Sequence, residues 1–312
     1  MRVIMLQRVQ GRAPGLRHRL GYVPMLIILP PSETKAPGGT GGPLNFDELS
    51  FPLLTPTRVR VVEALRRLCS GADHAEALRL LGLRETQREE LRHNAELQDS
   101  PTLPAVERYT GVAYDALDAN GTRTGQPLPA AARSRLAIGS ALFGVVGARD
   151  PIPYYRLSGS AKLLPEQGGK PATLRSFWAG GQAGPSIAAA VARWQGGVHK
   201  NHNAVIDLRS GAYANLGRIP GAVSVRVEAE YPDGERKVVS HFNKHYKGLL
   251  ARALALAPED LGAESASRPG AGANLAEGLA DLVQRLDFGK DATYRALPTA
   301  SDTVTLIVPA RR

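Results

Sequence analysis

The sequence predicts a mixed α/β (α+β) fold, one domain with a central mixed sheet flanked by helices. Three observations carry this. Short apolar runs of strand length recur at 25–29, 136–138, 204–208 and 304–308. Segments with helical apolar spacing lie between them. A strictly alternating run at 223–231, followed by Pro232-Asp233-Gly234 and a return at 236–240, reads as a hairpin. No internal repeat interrupts this pattern.

Taken in order, Met25–Leu29 is closed by Pro30-Pro31, and Ser32, Glu33, Thr34 and Lys35 follow its carboxyl end. A Gly/Pro-rich loop spans 37–43. Thr55 as N-cap with Pro56 behind it opens a helix whose Val61, Val62, Leu65, Leu68 and Cys69 share one face, so Cys69 is read as a core residue. Further helices are expected at 75–81, stopped by Gly82, and at 85–97. A polar linker at 118–126 precedes Leu136–Ile138, read as a strand with helix as the alternative because Ala-rich sequence comes before it. Asn243–Leu256 reads as a helix ended by Pro258, 262–274 as a Gly/Ala/Ser-rich loop, and Val304–Val308 as the last strand.

Composition narrows the class. The chain has 312 residues with 39 Lys plus Arg against 29 Asp plus Glu, a formal charge of +10. With 43% hydrophobic and 22% charged residues it can bury a core. No apolar run approaches the ~20 residues of a membrane span, so no membrane association is expected. One cysteine permits no internal disulfide and suits a reducing, cytoplasmic setting. Half of the charge excess comes from Arg2, Arg8, Arg12, Arg17 and Arg19, which have no acid among them. Residues 1–24 are therefore read as a disordered or non-native extension, and 25–312 as the domain.

Several groups point to chemistry. Strand carboxyl ends line the ligand crevice of open α/β sheets, and three such ends carry Ser32, Ser140 and Ser210. Around them the chain places Lys35, Tyr154, Arg156, Asp207, Tyr213, Lys244 and Lys247, enough cation and hydroxyl to hold a phosphate or nucleotide. The same residues suit ordinary solvated loop ends equally well. A second group is Tyr109-Thr110-Gly111-Val112-Ala113-Tyr114, compatible with a helix-hairpin-helix-like element in which Gly111 permits a tight turn and freed amides meet a DNA phosphate. A plain turn between two helices has the same pattern. The helix at 243–256 carries Lys244, Lys247 and Arg252 with no acid, and the spacing puts Lys244 and Lys247 on one face, an expected anion-contacting surface. Arg149, Arg156 and Lys162 form a second basic segment.

His199-x-x-His202 and His241-x-x-x-His245 have spacings that could pair imidazoles, but no nearby Cys or carboxylate completes a site, and no metal or cofactor is expected. Ser210, His241 and Asp207 lack the nucleophile-elbow sequence of a Ser-His-Asp hydrolase.

Four segments together resemble the YaaA peroxide-stress family: 25–35 (MLIILPPSETK), 149–163 (RDPIPYYRLSGSAKL), 205–216 (VIDLRSGAYANL) and 239–250 (VVSHFNKHYKGLL). Phe177-Trp178 and the Tyr109-x-Gly-x-x-Tyr114 spacing add to the likeness, which starts at Met25. The resemblance implies a cytoplasmic protein that limits iron-dependent oxidative damage and binds DNA, duplex or distorted duplex, through the hairpin and a basic cleft. By motif, the hairpin is Tyr109, Gly111 and Tyr114, and the cleft is Lys35, Tyr154, Arg156, Asp207, Ser210, Tyr213, Lys244 and Lys247. No stable protein partner is implied. An enzyme acting on a nucleobase or nucleotide, with Asp207 or Tyr154 as acid or base, is the alternative, and iron sequestration by His and carboxylate groups is a third.

Overall fold

The computed structural model describes residues 25–166, 168–181, 184–197, 204–239, 242–258, 275–286, 288 and 294–310. The expectations for residues 1–24, the 262–274 loop, His199, His202 and His241 lie outside these residues. The strands are β1 (Met25–Leu29), β2 (Thr102–Pro104), β3 (Leu136–Ser140), β4 (Gly144–Gly147), β5 (Pro151–Pro153), β6 (Lys162–Leu163), β7 (Ala172–Thr173), β8 (Ala204–Asp207), β9 (Val223–Glu230), β10 (Arg236–Val238), β11 (Arg295–Ala300) and β12 (Thr303–Pro309). The helices are α1 (Thr55–Ser70), α2 (His74–Leu81), α3 (Glu89–Ala95), α4 (Ala105–Arg108), α5 (Val112–Leu117), α6 (Ala130–Ser134), α7 (Leu174–Trp178), α8 (Ile187–Gly197), α9 (Gly211–Ala214), α10 (Asn243–Leu256) and α11 (Leu275–Arg285).

The main sheet runs β11-β12-β9-β8-β1-β3-β4, with β10 paired to β9 beyond the short β8. It is mixed as predicted: β12, β9, β8, β1 and β3 are mutually parallel, and antiparallel β11 and β4 close the two ends. β1 is its pivot. Ile27 stands opposite Leu136 of β3 on one side and Ile206 of β8 on the other. The chain first builds outward to β3 and later returns to β8, so the order reverses at β1. The crevice outside the carboxyl ends of β1, β3 and β8 is where such sheets bind ligands. β1 and β3 are buried almost throughout, as continuous apolar runs in the middle of a parallel sheet require.

Local departures have local causes. The helix beginning near Thr55 is entered through a 3-10 turn at Pro52–Leu54, so Leu54 rather than Thr55 is its N-cap. The segment 85–97 is a 3-10 turn, Glu85–Gln87, followed by α3; Gln87 turns its side chain back to accept the Arg84 amide. Strand β3 runs two residues past its predicted end. The antiparallel ribbon of β2 with β5 had no sequence signal, since both are short and proline-bearing.

One close approach sets the position of the turn helix. A Cβ on Gly248 of α10 would stand 2.1 Å from the Ala113 carbonyl oxygen and 2.8 Å from Ala116 Cβ. Glycine there lets α10 press directly on the backbone of α5. Cys69 is buried in the core, as the apolar face of α1 predicts.

Candidate functional site

The end of β1 and the turn between α4 and α5 are one structural unit. Ala36 donates its amide to Arg108 O (2.8 Å), Thr110 donates to Thr34 O (3.2 Å), and Thr34 Oγ1 donates to Thr110 O (3.4 Å). Lys35 and Tyr109 form an isolated antiparallel bridge. Gly111 sits at φ +94°, and a Cβ there would lie 3.3 Å from Thr34 Oγ1 and 3.4 Å from Ser32 Oγ. Backbone conformation and the narrow gap both call for glycine. Tyr114 anchors α5 by donating to Pro30 O at 2.9 Å.

Beneath this turn lies a set of hydroxyls and one amine. Lys35, 9% exposed, donates from Nζ to Ser32 O (3.2 Å) and sits 4.2 Å from the Tyr155 ring centroid and 5.3 Å from that of Tyr109. Tyr109 and Tyr155 share a 2.6 Å hydrogen bond between their hydroxyls, and Tyr155 and Ser140 another of 2.9 Å. Ser140 Oγ also accepts the amides of Leu142 (3.2 Å) and Phe143 (3.0 Å). With both lone pairs so occupied, Ser140 must donate its proton to Tyr155, which then donates to Tyr109. The hydroxyl chain is thus polarised outward from the end of β3. Burial pushes the Tyr109 phenol up to about 12 and raises the Tyr155 phenol well above its ordinary range. Burial also brings the Lys35 ammonium down to about 7, with the Glu33 carboxylate opposing the shift.

Glu33 ties three segments together. Its Oε1 accepts from the Tyr213 hydroxyl (2.8 Å), while Arg156 donates to both its Oε2 and its carbonyl oxygen. Burial, then Glu33, raise the Tyr213 phenol above its ordinary range. The Tyr213 ring lies 3.3 Å from where a Cβ of Gly159 would stand, a close approach of the two segments. Buried Asn94 brackets the Arg156 backbone, accepting its amide and donating to its carbonyl, each at 2.8 Å. Tyr154 turns the other way and donates to Glu90 Oε1 at 3.1 Å, with His93 edge-on to its ring.

A lysine able to be neutral at neutral pH, beside a chain of protonated phenols, can act as a nucleophile or base. The sequence model of the family described as peroxide stress protein YaaA matches residues 25–260. This chain belongs to the YaaA peroxide stress protein family. A UPF0246 protein of Corynebacterium glutamicum is 52% identical over 236 residues, covering 76% of this chain and 87% of that one. One from Corynebacterium efficiens is 49% identical over 269 residues (86% and 98%), and one from Streptomyces coelicolor 37% over 270 residues (83% and 90%).

In this YaaA-family fold, Lys35, Tyr109, Gly111, Tyr114, Arg156 and Tyr213 come together at the strand ends, and Glu33 links the last two. Other expectations are corrected. Lys244 and Lys247 do not share a face: Lys244 is exposed, whereas Lys247 is buried and donates to Leu208 O at 2.9 Å. Helix α10 packs its Lys247 side toward the sheet, and burial lowers that ammonium to about 8. Arg252 is consumed by the 117–126 segment, donating to Leu117 O, Asp118 O, Thr124 Oγ1 and Gln126 O. Asp207 is held at both oxygens by the guanidinium of Arg209, whose aliphatic stem passes close over Gly139 of β3. That pairing leaves it a framing carboxylate. Ser210, Arg149 and Lys162 are exposed.

Sequence reasoning passed over Glu33, Tyr155, Asn94 and Glu90. Glu33 stands two residues from Lys35 but reads as a solvated loop acid, and the Tyr154-Tyr155 pair offers no local cue as to which phenol points inward. Among the described residues, no group of three His, Cys, Asp or Glu side chains is placed to hold a metal, and no helix is long and apolar enough to cross a membrane.

Proposed function

We propose that this protein acts in the cytoplasm during peroxide stress, limiting iron-dependent damage by binding DNA at the Gly111 turn beside the strand-end cleft. The observation that carries the reading is the fusion of turn and strand end: Thr34 and Thr110 exchange hydrogen bonds, so a nucleic-acid strand held at the turn would lie beside the segment that carries Glu33 and Lys35. With Lys247 buried, Arg252 consumed and Arg156 paired to Glu33, phosphate neutralisation falls to exposed Arg149, Lys162 and Lys244. Three phosphate contacts predict that affinity for a duplex falls about 40-fold between 50 and 200 mM salt. The test is a salt titration of duplex binding by the full chain, repeated with Arg149, Lys162 and Lys244 changed singly to Gln, each expected to flatten the slope. Absent binding, or affinity indifferent to salt, defeats the proposal.

A second reading, an enzyme acting on a nucleobase or nucleotide, is favoured by the near-neutral Lys35 next to the Ser140-Tyr155-Tyr109 chain. Turnover would be sought with nucleosides, nucleotides and damaged duplexes. If Tyr109→Phe leaves any turnover found unchanged, the hydroxyl chain has no part in it.

A further inference from the structure

The Glu33 carboxylate fills a place at the strand ends that an outside anion suits equally. Its Oε2 accepts from Arg156 Nη1 and its Oε1 from the Tyr213 hydroxyl at 2.8 Å. Arg156 follows β5 and Tyr213 lies in α9 after β8, so donors from two other segments converge on one acid beyond the carboxyl end of β1. Those donors are positioned without it. Buried Asn94 clamps the Arg156 backbone at both its amide and its carbonyl. Tyr213 O accepts from buried Arg209 at 3.3 Å, and the Tyr213 ring stands close over Gly159. The acid side chain, by contrast, has no hydrogen bond or ion pair among the described residues beyond these two donors. It is 39% accessible, and it lies between Pro31 and Lys35 outside any strand or helix. Arg156 is also only partly used. Nη1 makes both side-chain hydrogen bonds, to Glu33 Oε2 and Glu33 O, while Nε and Nη2 have no acceptor among the described residues and are not sealed from solvent.

We propose that Arg156 and Tyr213 form a phosphoryl-binding site that Glu33 keeps covered by occupying it. The competition selects the ligand class. A carboxylate tethered in the same chain acts at an effective concentration of roughly millimolar or more, so a free carboxylate does not displace it. A phosphoryl group brings more acceptor oxygens, pairs with a guanidinium bidentately, and can use the idle Nε and Nη2 donors. What it replaces is weak, because a partly exposed ion pair contributes little. On binding, the Glu33 side chain turns out to solvent while Arg156 and Tyr213 stay where Asn94, Arg209 and Gly159 hold them. No covalent bond changes. Two sources carry this chemistry: the phosphodiester backbone of DNA, or the phosphate of a free nucleotide. In its duplex form the inference rests on the DNA reading above; in its free-phosphate form it stands apart from it.

The test uses the full chain with two probes, inorganic phosphate and a short duplex without terminal phosphates. Glu33→Gln keeps the shape and removes the competing charge, so it should bind at least one probe about 10-fold or more tightly than the wild type. The Arg156 side-chain Nε resonance should shift on titration with that probe in the variant, and in the wild type at higher concentration, while acetate shifts it in neither. The double variant Glu33→Gln/Arg156→Gln should lose the gain. With the duplex, Glu33→Gln should also steepen the salt dependence by about 0.9 in logarithmic slope, because Arg156 then releases a counterion where the wild type releases its own acid. Tightening with inorganic phosphate names the free phosphate as sufficient, and it leaves this inference standing even where the duplex salt titration fails. Tightening with the duplex alone names the backbone phosphodiester. Unchanged affinity for both probes in Glu33→Gln, a gain that survives in the double variant, or an Arg156 resonance that never moves overturns the proposal. The wild-type resonance decides the matter independently of how any variant folds.

Discussion

The amine of Lys35 stands 4.2 Å from the centre of the Tyr155 ring, and the two follow different strands, one past β1 and the other past β5. The ring face favours the ammonium, burial disfavours it, and burial wins, leaving the group near 7. This contact joins the first segment of the domain to the tyrosine pair more than a hundred residues later, and it underlies the first three expectations below.

Stability should rise with pH above neutrality. Lys35 titrates near 7 in the fold against about 10.4 in the unfolded chain, so between these values the unfolded chain binds a proton that the fold does not, and unfolding becomes harder as pH increases. Lys247, near 8, adds the same sign. Urea unfolding should give a more stable protein at pH 9.5 than at pH 7, and Lys35→Met should flatten much of that slope. A flat wild-type profile would show that Lys35 stays charged.

Replacing Glu33 by Gln separates electrostatics from stability. The Glu33–Arg156 pair is partly exposed, with side chains 39% and 19% accessible, so its loss should cost no more than about 1 kcal/mol. Glu33 nonetheless holds the Lys35 value up. In the variant, the Lys35 side-chain resonance followed by NMR should therefore titrate at lower pH than in the wild type.

Tyr155→Phe keeps the ring under Lys35 and removes the central hydroxyl of the chain. Leaving buried Tyr109 and Ser140 short of a partner should cost about 1–3 kcal/mol, measured by denaturant unfolding, while the Lys35 titration midpoint stays put. Tyr155→Leu, which removes the ring face as well, should move that midpoint down.

Gly248→Ala tests the α10–α5 contact. Because a Cβ would fall 2.1 Å from a backbone oxygen, not from a flexible side-chain tip, the helices must part, at a cost of about 3 kcal/mol. The displaced Gly111 turn should weaken any duplex affinity along with stability, whereas Gly196→Ala in α8, which meets open space, should leave affinity unchanged and cost no stability.

Cys69 should be inert to peroxide in the native protein. It is 4% exposed, and burial pushes its thiol up to about 12 despite a hydrogen bond with Asn94. Mass spectrometry after hydrogen peroxide treatment should find it oxidised only once the chain is unfolded.

Much of this protein was settled by its residues in order. The apolar runs at 25–29, 136–138 and 204–208 form the middle of the sheet, since short apolar runs between turn signals suit buried strands. The alternation of 223–230, the Gly234 turn and the whole of α10 were likewise legible, since periodicity and breakers are local properties of the chain. The likeness to the YaaA family was readable in motifs. What the tertiary structure decided is which charges remain charges. Lys244 and Lys247, three residues apart, differ in fate because α10 presses Gly248 onto α5 and carries Lys247 inward. Arg252 and Asp207 look available in the sequence and are spent on carbonyls and on Arg209. Glu33, Lys35, Tyr155 and Ser140 became one site because β1, β3 and the residues after β5 meet at the sheet's reversal point. Burial and pairing arise between segments far apart in the chain, and these set protonation, so the chemistry of the site could not be read from the sequence.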